Sequence, residues 1–317
     1  MTTTLWHRAL DDQGRLFTLG VTGEKVSIYY PDLDEEHFVI GKRDRTESFG
    51  GRPVRLWRFD EELARFEDHK RALHIVGQVE ATMAPGRHYP RVHRGPEHPP
   101  IDVAARTATM RAARSLFSRL RGIFQVIEPV HAHDSVFGHE LRQLLILACT
   151  EVESSWRAIL AANGYPEGTG RWTTNDYVKL VGPMKLDHYT VTLATHPEYG
   201  EITPFDGWCA NNPTQSLPWY SAYNRTKHNR EDDLHCASLL AVVLAMAAVH
   251  VMTVAQFGFD EVERGHFHAD EFNFERSPRW LADAYIRPLL LPDHALVDSG
   301  GRYVDWPRDW VKGDCPF

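Results

Sequence analysis

The chain has 317 residues, 43% of them hydrophobic, enough for two compact domains that each bury a core. Its 35 basic residues against 43 acidic ones leave a formal charge of −8, which excludes a protein that coats nucleic acid with its whole surface. Cys149, Cys209, Cys236 and Cys315 show no C-x-x-C spacing, Cys149 and Cys236 fall inside apolar helical patterns, and "MTTTLWHRALDDQGR" lacks the basic-then-apolar order of a secretory signal, so a cytoplasmic chain without disulfides is expected.

Residues 1–84 read as a β-rich N-terminal domain, with strands in "RLFTLGV", "EKVSIYYP", "HFVIG" and "VRLWRF" separated by Gly, Pro and Asp turn signals, and a short helix in "DEELARFEDHKRAL". The stretch 85–101, "PGRHYPRVHRGPEHPPI", carries five prolines and two glycines and is read as a linker or exposed loop. From Gly86 to Arg121 eight arginines face only Glu97 and Asp102; the alternatives are a solvated helix face and a phosphate-binding strip. Residues 102–290 then turn helical. "DVAARTATMRAARSLFSRLRGIFQVI" places Ala113, Leu116, Leu120, Phe124 and Ile127 on one face, and "SVFGHELRQLLILACTEVESSWRAILAANGY" does the same with Leu141, Leu145, Ala148, Val152, Trp156 and Ile159 before Asn163 and Gly164 stop it. Threonines open a short helix in "TTNDYVKLVG", and "HYTVTLATHPEYGEITPF" alternates like a hairpin inserted into the helical domain. Residues 291–317 form a C-terminal extension. The fold class expected is α+β.

The segment "LPWYSAYNRTKHNREDDLHCASLLAVVLAMAAVH" predicts one long helix, with Pro218 in its first turn. Its stretch from Cys236 to Phe257 has no charged residue and raises the question of a membrane span, but it is rich in alanine and holds His250, Thr253 and Gln256. A central bundle helix or a dimer core is the reading, without a membrane. On one continuous helix, Asn224, His228, Glu231 and His235 lie within about 60° of one another, with Trp219, Tyr223, Thr226 and Ala237 opposite. Arg225, Lys227 and Arg230 flank that stripe and favour an anion. The neutral alternative is a solvated helix end whose charges pair at spacings of three and four.

The pair "YNRTKH" and "REDDLH" resembles the motif of the HEPN superfamily, helical bundles in which an arginine, often followed by Asn, precedes a histidine by five positions near the start of a late helix. Two registers fit. Asn224 and His228 match in the first, with Tyr223 in the arginine's place; Arg230 and His235 match in the second, with Glu231 where Asn is usual. The first is preferred because it opens the helix and leaves the apolar run downstream. The resemblance spans roughly residues 102–258 and implies a metal-independent endoribonuclease without cofactor, a homodimer through the long helix, single-stranded or looped RNA as partner, and a toxin or phage-defence setting. It implies His228 as base or acid, Asn224 as orienting group, Lys227 and Arg230 beside them, and Arg225, Tyr223, His235, Trp219 and Tyr220 against substrate. Glu151 and Glu153, on the facing helix, are the candidate supporting acids, with solvated acids as the alternative. Arg230, seven residues after Tyr223, is expected to point the same way and replace the missing guanidinium.

Two other readings stand beside this one. The first is a catalytically inactive HEPN-like binding or sensing module. The second is a metal-dependent hydrolase built on "HAHD" (His131, His133, Asp134) or "HFHAD" (His266, His268, Asp270), although neither shows H-E-x-x-H or paired cysteines. No G-x-S-x-G and no phosphate-cradling glycine loop occurs in the sequence.

Overall fold

The computed structural model describes the backbone of residues 4–10, 16–22, 25–29, 46–49, 52–55 and 77–80. It describes 83, 86–95, 97–168, 170–259, 271–280, 283–286, 288 and 309–317 more fully, with Arg230 by its backbone alone. Among these residues the chain mixes helix with a small amount of sheet. "HFVIG", "DEELARFEDHKRAL" and "HFHAD" lie outside the described residues.

The chain divides into two units. The first comprises Met1–His88, Arg94–Pro100 and Arg279–Lys312, and the second Tyr89–His93, Ile101–Pro278 and Gly313–Phe317. The expected linker 85–101 is thus shared between them. In the first unit β1 (Thr4–Leu10), β2 (Leu16–Thr22), β3 (Lys25–Tyr29) and β6 (Gly77–Glu80) form an antiparallel sheet of order β3-β2-β1-β6, while β4 (Thr46–Phe49) and β5 (Arg52–Arg55) pair separately. β7 (Arg87–His88) pairs in parallel with β10 (Val311–Lys312). β1, β4 and β6 were missed in the sequence, β1 because "TLWHRAL" places polar residues on both faces of its alternation.

The second unit holds four long helices: α1 (Val103–Phe124), α2 (His139–Asn163), α3 (Pro218–His228) and α4 (Leu239–Phe257). Asp102 caps α1 by accepting the Ala105 N–H at 2.9 Å, and α2 stops at Gly164, whose φ of 72° suits a residue without a side chain. A single turn at Thr174–Tyr177 is opened by Asp176, whose carboxylate reaches back to the Thr173 N–H at 2.8 Å. α4 lies against α1, α2 and α3, and every residue of it is buried except Leu240 and Leu244. Thr253 donates to the Val249 carbonyl at 2.9 Å, and Gln256 donates to Ser155 Oγ at 3.2 Å and to the Met252 carbonyl at 2.9 Å and accepts from Arg91 Nε at 2.8 Å. By length and composition α4 is able to cross a membrane, but here the chain itself covers it.

Two expectations are corrected. The long helix is broken: α3 ends at His228, Asn229 turns to φ −134°, ψ 80°, and a single turn at Arg230–Asp233 and a 3₁₀ turn at Leu234–Cys236 intervene before Ser238 caps α4. The expected hairpin reduces to one antiparallel bridge, Val191 with Ile202, because Pro204 follows and has no N–H for a ladder. β8 (Thr190–Leu193) pairs instead with β9 (Phe272–Arg276), nearly 80 residues on.

Candidate functional site

The site is set by how α3 lies on α2. Pro218 occupies the first turn of α3, where its missing N–H has no intrahelical partner to lose. The helix then buries Trp219, Tyr220, Tyr223 and Thr226, and leaves Arg225, Lys227 and His228 exposed and Asn224 half-exposed. The rings join a cluster centred on Trp156 of α2: Trp208 lies 4.9 Å from it, Tyr177 5.2 Å, Tyr220 5.6 Å and Trp219 6.2 Å. Trp219 Nε1 donates to the Pro204 carbonyl at 2.7 Å. Trp219, Tyr220 and Tyr223, expected against substrate, are therefore core residues that keep at most 5% of their surface.

Beneath them sits Glu153, buried in the seam. It accepts from the Tyr220 hydroxyl and, at 2.7 Å, from Arg157, whose Nε also donates to Tyr177 at 3.0 Å. Burial first and the Glu153 carboxylate second push the Tyr220 hydroxyl well above its ordinary range, so it stays a donor. Glu151 lies apart from α3. Burial raises its carboxyl, and the Arg91 guanidinium partly offsets that. Of the two supporting acids only Glu153 reaches α3, and it does so through a tyrosine hydroxyl, not through a cation or histidine.

The exposed groups differ in how freely they can meet a ligand. Lys227 Nζ donates to the Tyr223 hydroxyl at 3.0 Å and stands 5.1 Å over that ring; the same hydrogen bond holds the ammonium above its ordinary value. Arg225 pairs with Asp233 at 2.5 Å. The side chains of Asn224 and His228 make no hydrogen bond or ion pair among the described residues. α3 ends beside them and presents carbonyls that would repel a phosphate. Arg142 of α2 counters this by donating to the Thr226 carbonyl through Nε at 3.3 Å and Nη2 at 3.2 Å. Arg142 and Arg157 were missed in the sequence, although they lie on α2 at spacings of eleven and four from Glu153, the face that meets α3.

The break at Asn229 separates the predicted stripe. Glu231 is exposed in the next turn, and His235 is exposed in the 3₁₀ turn with its ring edge-on to Phe137 at 6.5 Å. The helical phase that aimed Arg230 alongside Tyr223 does not hold across Asn229, and the Arg230 side chain lies outside what is described. No protein-family model, curated protein or solved structure matches the chain.

The metal readings fare differently. His131 Nδ1 meets Asp134 at 3.1 Å, Asp134 also accepts from the Tyr199 hydroxyl at 2.5 Å, and His133 Nδ1 turns to the Glu128 carbonyl at 2.8 Å, so "HAHD" does not converge on a common point. Cys149 is buried, its thiol raised by burial and then by Glu153, whereas Cys236 is only half-buried in a turn, against expectation, because the helix that was to enclose it is interrupted there.

Proposed function

We propose that the exposed edge at the end of α3 binds single-stranded or looped RNA and cleaves it without a metal, as the resemblance to HEPN proteins implies. The observation that carries this reading is the exposed imidazole of His228, unengaged among the described residues, one residue from the Lys227 ammonium and on the same helical edge as the Asn224 amide, likewise unengaged among them. In this scheme His228 takes the proton of the ribose 2′-OH, O2′ attacks phosphorus, and the P–O5′ bond breaks. Lys227 returns a proton to O5′, leaving a 2′,3′-cyclic phosphate and a 5′-hydroxyl. Arg225 and Arg230 contact phosphate and Asn224 orients the attacked group.

A second reading has its own support. Tyr223, in the place of the family's arginine, is 2% exposed and supplies no cation to that edge, which favours an RNA- or ligand-binding module without catalysis. One experiment separates the two. The full chain with EDTA and an end-labelled single-stranded RNA is expected to give cyclic-phosphate ends, a 2′-deoxy substrate none, and His228→Ala a loss of about 10²-fold or more. Binding without cleavage, unchanged by His228→Ala, supports the second reading and sinks the first.

A further inference from the structure

The broken linker between α3 and α4 brings together three side chains of mixed hardness. Asp233, His235 and Cys236 each offer one ligand atom, and these atoms all lie within 4.8 Å of one another. Cys236 Sγ is 3.5 Å from His235 Nε2 and 3.8 Å from an oxygen of Asp233. In a tetrahedral zinc site, bonds of about 2.3 Å to sulfur and about 2.0–2.1 Å to nitrogen or oxygen put neighbouring ligand atoms about 3.5 Å apart. The separations of the Cys236 sulfur from His235 and from Asp233 thus stand within a few tenths of an ångström of those an ion requires, and a small side-chain adjustment brings the third pair, within 4.8 Å, to the same spacing.

Sequence adjacency explains why the three are close, but not how they are turned. His235 directs Nε2 at the thiol while Nδ1 lies 3.0 Å from the Asp232 carbonyl, the outer hydrogen bond that fixes the tautomer of a metal-ligating histidine. The turn is held by three backbone bonds: Ala237 N–H to the Leu234 carbonyl at 3.0 Å, Leu239 N–H to Val136 at 2.8 Å and Leu240 N–H to Asp134 at 3.2 Å. Partial exposure leaves a fourth position for water. We propose that Asp233, His235 and Cys236 form a site for a zinc-class divalent cation, with S, N and O ligands that disfavour Mg²⁺ and Ca²⁺. Arg225 competes with the ion, because its guanidinium occupies the same Asp233 oxygen at 2.5 Å. The site stands independently of the RNA reading.

The test is titration of the reduced full chain with Co²⁺, which reports a bound thiolate by its charge-transfer band. We expect one equivalent to give that band together with tetrahedral d–d absorption, and Zn²⁺ to abolish both. Cys236→Ser is expected to remove the charge-transfer band and weaken binding at least tenfold, and His235→Ala to weaken it comparably. Arg225→Ala is expected to tighten it severalfold. His131→Ala serves as the control and leaves the spectrum unchanged, with far-ultraviolet circular dichroism showing that each variant folds. Absence of a thiolate band, or a band that survives Cys236→Ser, overturns the proposal, since a surviving band places the ion on another thiol, such as the exposed Cys209.

Discussion

At the scale of single residues, two buried titratable groups dominate. Glu153 holds two partners in a nearly closed seam, so Glu153→Ala strands the Tyr220 hydroxyl and frees Arg157 of its carboxylate. Losing the acceptor of a buried donor costs about 1–3 kcal/mol, more with a charged partner, so we expect about 2–3 kcal/mol less stability in urea denaturation. Glu153→Ala combined with Tyr220→Phe should cost less than the two single changes summed, because the phenyl ring leaves nothing unpaired; strict additivity would show that the pair does not interact. His250 is the second group. It is 4% exposed, stacked 4.6 Å from Phe274 and 5.7 Å from Phe272, and burial lowers its pKa from 6.5 to about 3. The depressed folded-state value means that the unfolded chain binds the extra proton first as pH falls. Stability from this group is complete above pH 6.5 and declines towards pH 3, by roughly 1.4 kcal/mol per unit or about 2 kcal/mol at pH 5. The His250→Leu variant should lose about that much less between pH 7 and pH 5; equal losses in both proteins would assign the effect elsewhere.

At the scale of elements, the interruption between α3 and α4 decides what the polar head of the segment can do. Ser238 stands in extended backbone and accepts the Ala241 N–H at 3.3 Å, so α4 has a cap of its own. Ser238→Ala is expected to lower stability by about 1 kcal/mol, and Ser238→Asp to keep most of it. Had α3 and α4 been one helix, position 238 would be interior and alanine would stabilise it, so the sign of the change in the urea midpoint discriminates. The break also explains why Asn224 and His228 stay at an exposed helix end while Asp233, His235 and Cys236 collect in a separate turn. The signal was present in "CASLLAVV", a serine directly before an apolar run. The helical periodicity of the flanking residues outweighed it.

At the scale of the whole molecule, α4 uses its apolar surface inside its own chain. The sequence left a bundle core and a dimer core as alternative settings for this segment; within the chain, α1, α2 and α3 lie against it together. Leu240, 39% exposed, is the large side chain that α4 leaves outside. Leu240→Arg is therefore expected to leave both the fold and the mass in solution unchanged at micromolar concentration, measured by light scattering. A variant that halves the mass would place α4 in an interface after all.

What the sequence determined by itself was local. Apolar spacing along α1 and α2, Asp102 before the first helix, Gly164 after the second and Pro218 in the first turn of α3 each act within a few residues, and a chain reader meets all the participants together. That Trp219, Tyr223 and Thr226 lie opposite Asn224 and His228 was legible for the same reason, since a helix of eleven residues keeps its phase, but that this side faces the core and not a substrate was not. Tertiary structure alone decided which acid serves α3, because Glu153 meets Tyr220 across 67 residues and Arg142 meets Thr226 across 84. It also decided that β8 pairs with β9 instead of its own neighbour. No local spacing encodes partners so distant, and they are fixed only when the Trp156 cluster and α4 bring their helices and strands into one core, where a buried polar group must find whatever complementary group lies opposite.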